Sequence, residues 1–216
     1  MIRAIIFDMD GLLIDSEPVY AEAYSHAFAV FGHTLTREEF YDYWTSGGGS
    51  VEKYVKERGL DLDPEKVREE KRKWYENNHA KLLKPMKGAK ECVERMDGFA
   101  MAICSVSRRE EVLKALRIIG IENKFDVIIV NEDVEKRKPD PEGFLVAAKR
   151  LGFPPRECVV IEDAEKGVIA GNVAGMKVIA VPSEYTKDKD FSKADLVLES
   201  LDRLTPERVR ELSRPG

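Results

Sequence analysis

The sequence predicts an α/β fold: a doubly wound, Rossmann-like parallel sheet core with an inserted all-α helical domain. Three observations predict it. Short apolar, β-branched runs recur along the chain, and most are continuous rather than alternating, as strands covered on both faces are. Helical patterns separate these runs. One long stretch, residues 16–84, breaks the alternation and contains no strand pattern.

In chain order, "RAIIF" (3–7) is the first strand. Helical patterns follow near 17–31, 36–45, 50–58 and 64–83, joined by "FGHT", "SGGGS" and "GLDLDP". An insertion this long after the first strand reads as a second domain. Its crossings fall near 14–17 and 82–88, which assigns 1–15 and 85–216 to the core and 16–84 to the insert. The remaining strands are "FAMAIC" (99–104), "DVIIV" (126–130), "CVVIE" (158–162), "KVIAV" (177–181) and "DLVLE" (195–199). Helices are expected at 108–119, 140–151 and 164–174, with a short piece near 186–192. "LTPERVRELS" (204–213) closes the chain as a helix, with Thr205 as N-cap and Pro206 in the first turn.

Composition excludes several classes of function. A net charge of −5 over 216 residues offers no basic field for nucleic acid or an anionic membrane. No apolar run approaches the roughly 18–20 residues of a membrane span. The first strand starts almost at Met1, leaving no room for a signal peptide, so the cytoplasm is the expected location. Cys92, Cys104 and Cys158 are odd in number and lack metal-ligand spacing, so buried, reduced thiols are expected. His26, His33 and His79 do not cluster in sequence. Glutamine is absent while Glu, Lys and Arg abound, a composition of the heat-adapted kind.

The chemistry concentrates where strands end. Asp8 and Asp10 close the first strand, and residues i and i+2 of a strand project to one side. The expectation is two carboxylates facing one space at the edge where open α/β sheets bind ligands. From the pair alone, solvated turn acids, a cation site, and one ionised beside one protonated carboxyl all remain open. Ser105 follows the second strand as either an ordinary N-cap or a phosphate seat beside free N–H groups. Lys138 stands before a Pro-x-Pro turn, solvated or serving as a counter-charge, and Glu162 and Asp163 end a further strand as helix caps or ligands. All of these fall at carboxyl ends of strands on one sheet edge. Hard oxygen ligands with a cation there suit Mg²⁺ and a phosphoryl group.

At this point "DMDGLLIDSEP", "CSVS", "KPDPEGF" and "IEDAEKGVIAGNVAGM", in that order, resemble the haloacid dehalogenase-like hydrolase superfamily. The similarity extends to its branch containing β-phosphoglucomutase, phosphoglycolate phosphatase and small sugar-phosphate phosphatases. The resemblance implies a helical cap at 16–84 and an Mg²⁺-dependent phosphatase acting on a small phosphorylated metabolite. It makes Asp8 the nucleophile that forms an aspartyl-phosphate, and Asp10 the acid and then the base. Ser105 and backbone N–H groups such as that of Val106 would hold phosphoryl oxygens, and Lys138 would offset charge. Asp8, the Asp10 carbonyl, Asp163 and Glu162 would surround the metal. The dehalogenase branch lacks an acid at position 10, so Asp10 favours phosphoryl transfer.

Some positions depart from the branch pattern: Tyr20 and Tyr24 stand where His and Trp are common, and Ala164 where Ser is common. "TSGGGSVEK" lacks the arginine with which the mutase cap grips a second phosphate, and Lys53 would be its only stand-in. That favours a phosphatase over the alternative, a phosphomutase. A receiver-like signalling module, a remoter alternative, has no helical insertion. In the cap, Gly48, Gly49 and Glu17 are the candidate substrate contacts, and Tyr41, Tyr43 and Trp44 read as cap core. The expected partner is a small metabolite, with no nucleic acid and no membrane. The oligomeric state is left open, a monomer being favoured.

Overall fold

The computed structural model describes residues 1–46 and 49–213. The strands are β1 (Ala4–Phe7), β2 (Ile14–Asp15), β3 (Lys84–Pro85), β4 (Ala100–Cys104), β5 (Val127–Ile129), β6 (Cys158–Glu162), β7 (Lys177–Ala180) and β8 (Leu196–Val197). A six-stranded sheet runs β5-β4-β1-β6-β7-β8, and β2 pairs with β3 separately. All neighbours in the large sheet are parallel. Without the small pair, the order is 3-2-1-4-5-6, the doubly wound arrangement whose chain reverses direction between its first and fourth strands. That switch point lies between β1 and β6.

β1 is apolar throughout because both of its faces are covered: Ala4, Ile5, Ile6 and Phe7 are fully buried. Ala4 and Ile6 share a cluster with Phe144, Ala147, Val160 and Val168.

Packing divides the chain into two units, one comprising Met1–Ile14 and Lys84 onward, the other Asp15–Leu83. The second unit is helical: α1 (Glu17–Val30), α2 (Arg37–Phe40), a π-helical turn Tyr41–Ser46, α3 (Val51–Glu57) and α4 (Pro64–Leu82). The single helix expected over 36–45 therefore changes its winding at Tyr41. Its α-helical start is fixed by a capping box between Thr36 and Glu39. Phe28, Phe40 and Tyr54 form this unit's buried centre, with Tyr41, Tyr43 and Trp44 packed against it, as the sequence reading expects. No helix among the described residues is long and apolar enough to cross a membrane.

The first unit adds α5 (Ala89–Arg95), α6 (Arg109–Ile119), α7 (Glu142–Leu151), α8 (Glu165–Val173) and α9 (Pro206–Glu211). Thr205 caps α9, its hydroxyl accepting from the Arg208 N–H. Two differences from the sequence reading stand out. α5 was not anticipated, although Ala89, Cys92, Val93 and Met96 give a helical stripe that is fully buried. The expected helix near 186–192 is instead a run of turns. There the Ser183 N–H and hydroxyl turn to the Thr186 hydroxyl at 3.0 and 3.2 Å, a local bond that competes with helical pairing.

Candidate active site

Strand register alone assembles most of the site. Phe7 lies opposite Ile103 on β4 and Ile161 on β6. One residue further on, Asp8, Cys104 and Glu162 are therefore neighbours at the carboxyl edge, astride the switch point. The Asp8 N–H continues the ladder onto the Ile161 carbonyl at 2.9 Å.

Lys138, from the loop before α7, reaches all three strand ends. Its ammonium donates to Asp8 Oδ1 at 2.5 Å, Glu162 Oε1 at 2.6 Å and the Cys104 carbonyl at 3.0 Å. Three donors meet three acceptors, which is how a buried lysine remains satisfied. The ammonium also stands 4.8 Å from the centre of the Phe144 ring. Burial would lower the Lys138 pKa, but Asp8 and Glu162 hold it well above the ordinary lysine value. Its two carboxylate partners thus favour the charged ammonium. Burial pushes the Asp8 carboxyl up, to about 7, with Lys138 pulling it back and Glu162 and Asp10 pushing it further up.

Glu162 spends its second oxygen on the Ala164 N–H at 3.0 Å. Asp163 Oδ2 accepts from the buried Ser183 hydroxyl at 3.4 Å. Asp8, Glu162 and Asp163 each offer an oxygen, all within 4.8 Å of one another. Against these three acids Lys138 supplies one positive charge. The set is hard oxygen and electron-rich, so it fits a divalent cation of the Mg²⁺ or Ca²⁺ type. The carboxylate of Asp10 does not belong to this group.

Two glycines make room for these acids. Gly11 takes φ +82°, and a Cβ there would collide with the Asp163 carboxylate. A Cβ on Gly167 would overlap the Glu162 carboxylate. The chain breaks after Asp10 because only glycine allows both the turn and the close approach.

Asp10 has different company. β1 ends at Phe7 and the ladder runs on only through the Asp8 N–H, so the strand alternation expected to aim Asp8 and Asp10 together does not extend to Asp10. Asp8 goes to Lys138. Asp10 Oδ2 accepts from the Ser105 hydroxyl at 3.0 Å and from the Ser107 hydroxyl at 2.8 Å. A pocket opens beside Lys138, lined among others by Ser105, Val106, Lys136, Arg137 and Phe144.

The structure thus gathers Asp8, Asp10, Ser105, Lys138, Glu162 and Asp163, with Val106 exposed beside them. The candidates from the insert are described within their own helical unit. Glu17 accepts from the Thr45 hydroxyl at 2.6 Å, and Gly49 packs against the Tyr43 ring with its N–H on the Tyr43 carbonyl, both within the helical unit. Gly48 lies outside the described residues. Lys53 is exposed and pairs with Glu57. Ser107 and Ser183 are the polar groups that sequence reasoning passed over. For Ser107 the Ser-x-Ser spacing after β4 was the available signal.

Comparison with known proteins identifies the family of the chain. The family model of haloacid dehalogenase-like hydrolases matches residues 5–181. A phosphorylated carbohydrates phosphatase of Thermotoga maritima is 32% identical over 184 residues, covering 82% of this chain and 83% of that protein. Hexitol phosphatase B of Escherichia coli is 32% identical over 222 residues, covering 94% and 95%. Among solved structures, a variant of CbbY from Rhodobacter sphaeroides in complex with xylulose-(1,5)bisphosphate superposes with a TM-score of 0.80 at 26% identity, over 94% of this chain and 96% of that one. The chain belongs to the haloacid dehalogenase-like hydrolase family, as a phosphoric monoester hydrolase within it.

Proposed function

We propose that this enzyme is a Mg²⁺-dependent phosphatase that hydrolyses a small phosphorylated metabolite, a sugar phosphate or phosphoglycolate-like monoester, through an aspartyl-phosphate on Asp8. One observation carries the reading. Two carboxyls two residues apart stand in opposed surroundings, Asp8 against a fixed cation and Asp10 on two hydroxyls. Paired acids in unlike environments divide into nucleophile and acid/base.

In the first step an Asp8 oxygen bonds to phosphorus while the bond to the leaving oxygen breaks, and Asp10 gives that oxygen its proton. In the second, water attacks phosphorus, Asp10 takes a proton from it, and the Asp8–phosphorus bond breaks. Lys138 balances charge throughout, and Ser105 and the Val106 N–H hold phosphoryl oxygens. Asp8, Glu162, Asp163 and the Asp10 carbonyl would hold Mg²⁺, which when bound neutralises and orients the phosphoryl group.

The sugar-phosphate class rests on the relatives, named for phosphorylated carbohydrates and hexitols, and on the bisphosphate bound in the CbbY complex. In this reading the helical unit is a cap that admits substrate, with Glu17, Gly48 and Gly49 its candidate contacts. Three buried free cysteines accord with action in the cytoplasm.

The test is phosphate release across a panel of sugar phosphates and phosphoglycolate, with Mg²⁺ and with chelator, for wild type and Asp8→Asn. Turnover that needs Mg²⁺ and vanishes in Asp8→Asn is expected. Full activity in Asp8→Asn, or a strict need for a bisphosphate without phosphate release, would overturn it.

A further inference from the structure

We propose that Ser107 is the positioning residue for Asp10, holding its carboxyl in place while Ser105 is occupied by the phosphoryl group; this rests on the acid/base reading of Asp10 above.

A serine hydroxyl has one proton to donate. Ser105 gives its proton to Asp10 Oδ2 at 3.0 Å, and the same hydroxyl is the candidate donor to a phosphoryl oxygen. It cannot do both at once. When phosphate takes the Ser105 proton, Asp10 keeps the donor at 2.8 Å, Ser107.

Ser107 is built for a fixed aim. Its N–H donates to Ser105 Oγ at 3.0 Å, and its carbonyl accepts from the Asn131 N–H at 3.1 Å. The backbone is pinned on both sides, and the residue is 8% exposed, so its side chain has little room to move off Asp10. The bond from the Ser107 N–H to Ser105 Oγ also leaves the Ser105 proton free to swing between Asp10 and a phosphoryl oxygen. Ser105 is therefore the donor shared with substrate and Ser107 the donor that stays.

The experiment compares phenyl phosphate, a poor leaving group, with p-nitrophenyl phosphate, an activated one, using the full chain with Mg²⁺. Ser107→Ala should lower kcat on phenyl phosphate by about tenfold, the value of one lost hydrogen bond, and on p-nitrophenyl phosphate by about twofold or less. KM should hold on both substrates, and Ser107→Thr, which keeps the hydroxyl, should recover most of the loss. In an Asp10→Asn background, Ser107→Ala should change little on p-nitrophenyl phosphate, because the group it positions is already disabled. Equal losses on the two substrates, a rise in KM alone, or failure of Ser107→Thr to rescue would overturn the proposal. If Ser107→Ala does not fold, Ser107→Cys keeps a weak donor of similar size and should give the same substrate contrast in smaller degree. An Asp10→Asn enzyme with full activity on phenyl phosphate would remove the acid/base reading itself. Collapse in Asp10→Asn with wild-type rates in Ser107→Ala would remove the positioning role alone.

Discussion

Gly167→Ala sets two effects of opposite sign against each other. Gly167 lies inside α8, where alanine ordinarily improves a helix by about 1 kcal/mol. Here the added Cβ would overlap the Glu162 carboxylate. Glu162 is 1% exposed and bound to Lys138 at 2.6 Å and the Ala164 N–H at 3.0 Å, so it cannot step aside into solvent. Separating a buried charge from its partner costs about 3–5 kcal/mol, and simple overpacking about 1–3 kcal/mol. After subtracting the helix gain, the net loss is about 2–4 kcal/mol where the ion pair parts and about 0–2 kcal/mol where the site only overpacks, so Tm falls by up to about 16 °C for a chain of this size. Trp44 and Trp74, the chain's two tryptophans, both lie in the helical unit, so fluorescence does not report on the core and calorimetry is the suitable assay. The decisive arm is the Glu162→Ala background, where the obstruction is gone. There Gly167→Ala should be neutral or stabilising by up to about 1 kcal/mol. A higher Tm for Gly167→Ala alone, or an equal cost in both backgrounds, would refute the steric reasoning.

Three further outcomes are expected. Asp133 accepts from the Val130 N–H at 3.1 Å, Arg109 at 2.6 Å and Arg150 at 2.9 Å, so Asp133→Ala should cost about 1–3 kcal/mol in urea unfolding at neutral pH. Burial pushes its carboxyl up, but the Val130 bond and the two guanidinium groups outweigh this and hold it below the usual range. A depressed folded value gives stability that is complete above the unfolded value and lost as pH falls through the folded one, so the gap to wild type should close below about pH 4. The Lys71 ammonium stands 4.5, 4.8 and 5.5 Å from the rings of Tyr20, Tyr75 and Tyr24. Lys71→Met should cost the helical unit about 0.5–2 kcal/mol, read by tryptophan fluorescence in urea, and an unchanged midpoint would show that the cage contributes nothing. Mg²⁺ at a hundredfold excess over its Kd should stabilise the core by about 2.7 kcal/mol in calorimetry, a gain that chelator reverses and Asp163→Ala abolishes.

Much of the core was legible because burial on both faces imposes a continuous apolar run. "AIIF", "AMAIC" and "CVVIE" can hardly be anything else between helical patterns, and each is a strand. α5 escaped because its stripe of Ala89, Cys92, Val93 and Met96 is short and interrupted by charges, and its start is marked only by Gly88 at φ +77°. The turns at 183–189 escaped because whether Ser183 bonds to Thr186 or to a helix is a choice between local hydrogen bonds that spacing does not encode. Within the site, residue types pointed to Asp8, Asp10, Ser105, Lys138, Glu162 and Asp163, but not to which of them share a partner.

The sequence by itself determined the elements and the chemical inventory: strands from apolar continuity, and acids, hydroxyls and a lysine at strand ends. Tertiary structure decided who meets whom. The parallel register puts Asp8, Cys104 and Glu162 abreast, so that a single buried ammonium can reach all three. The end of β1 at Phe7 frees Asp10 from the alternation and lets two serines take it. These pairings join residues 24 to 130 positions apart, and they follow from strand order and register rather than from any local preference along the chain.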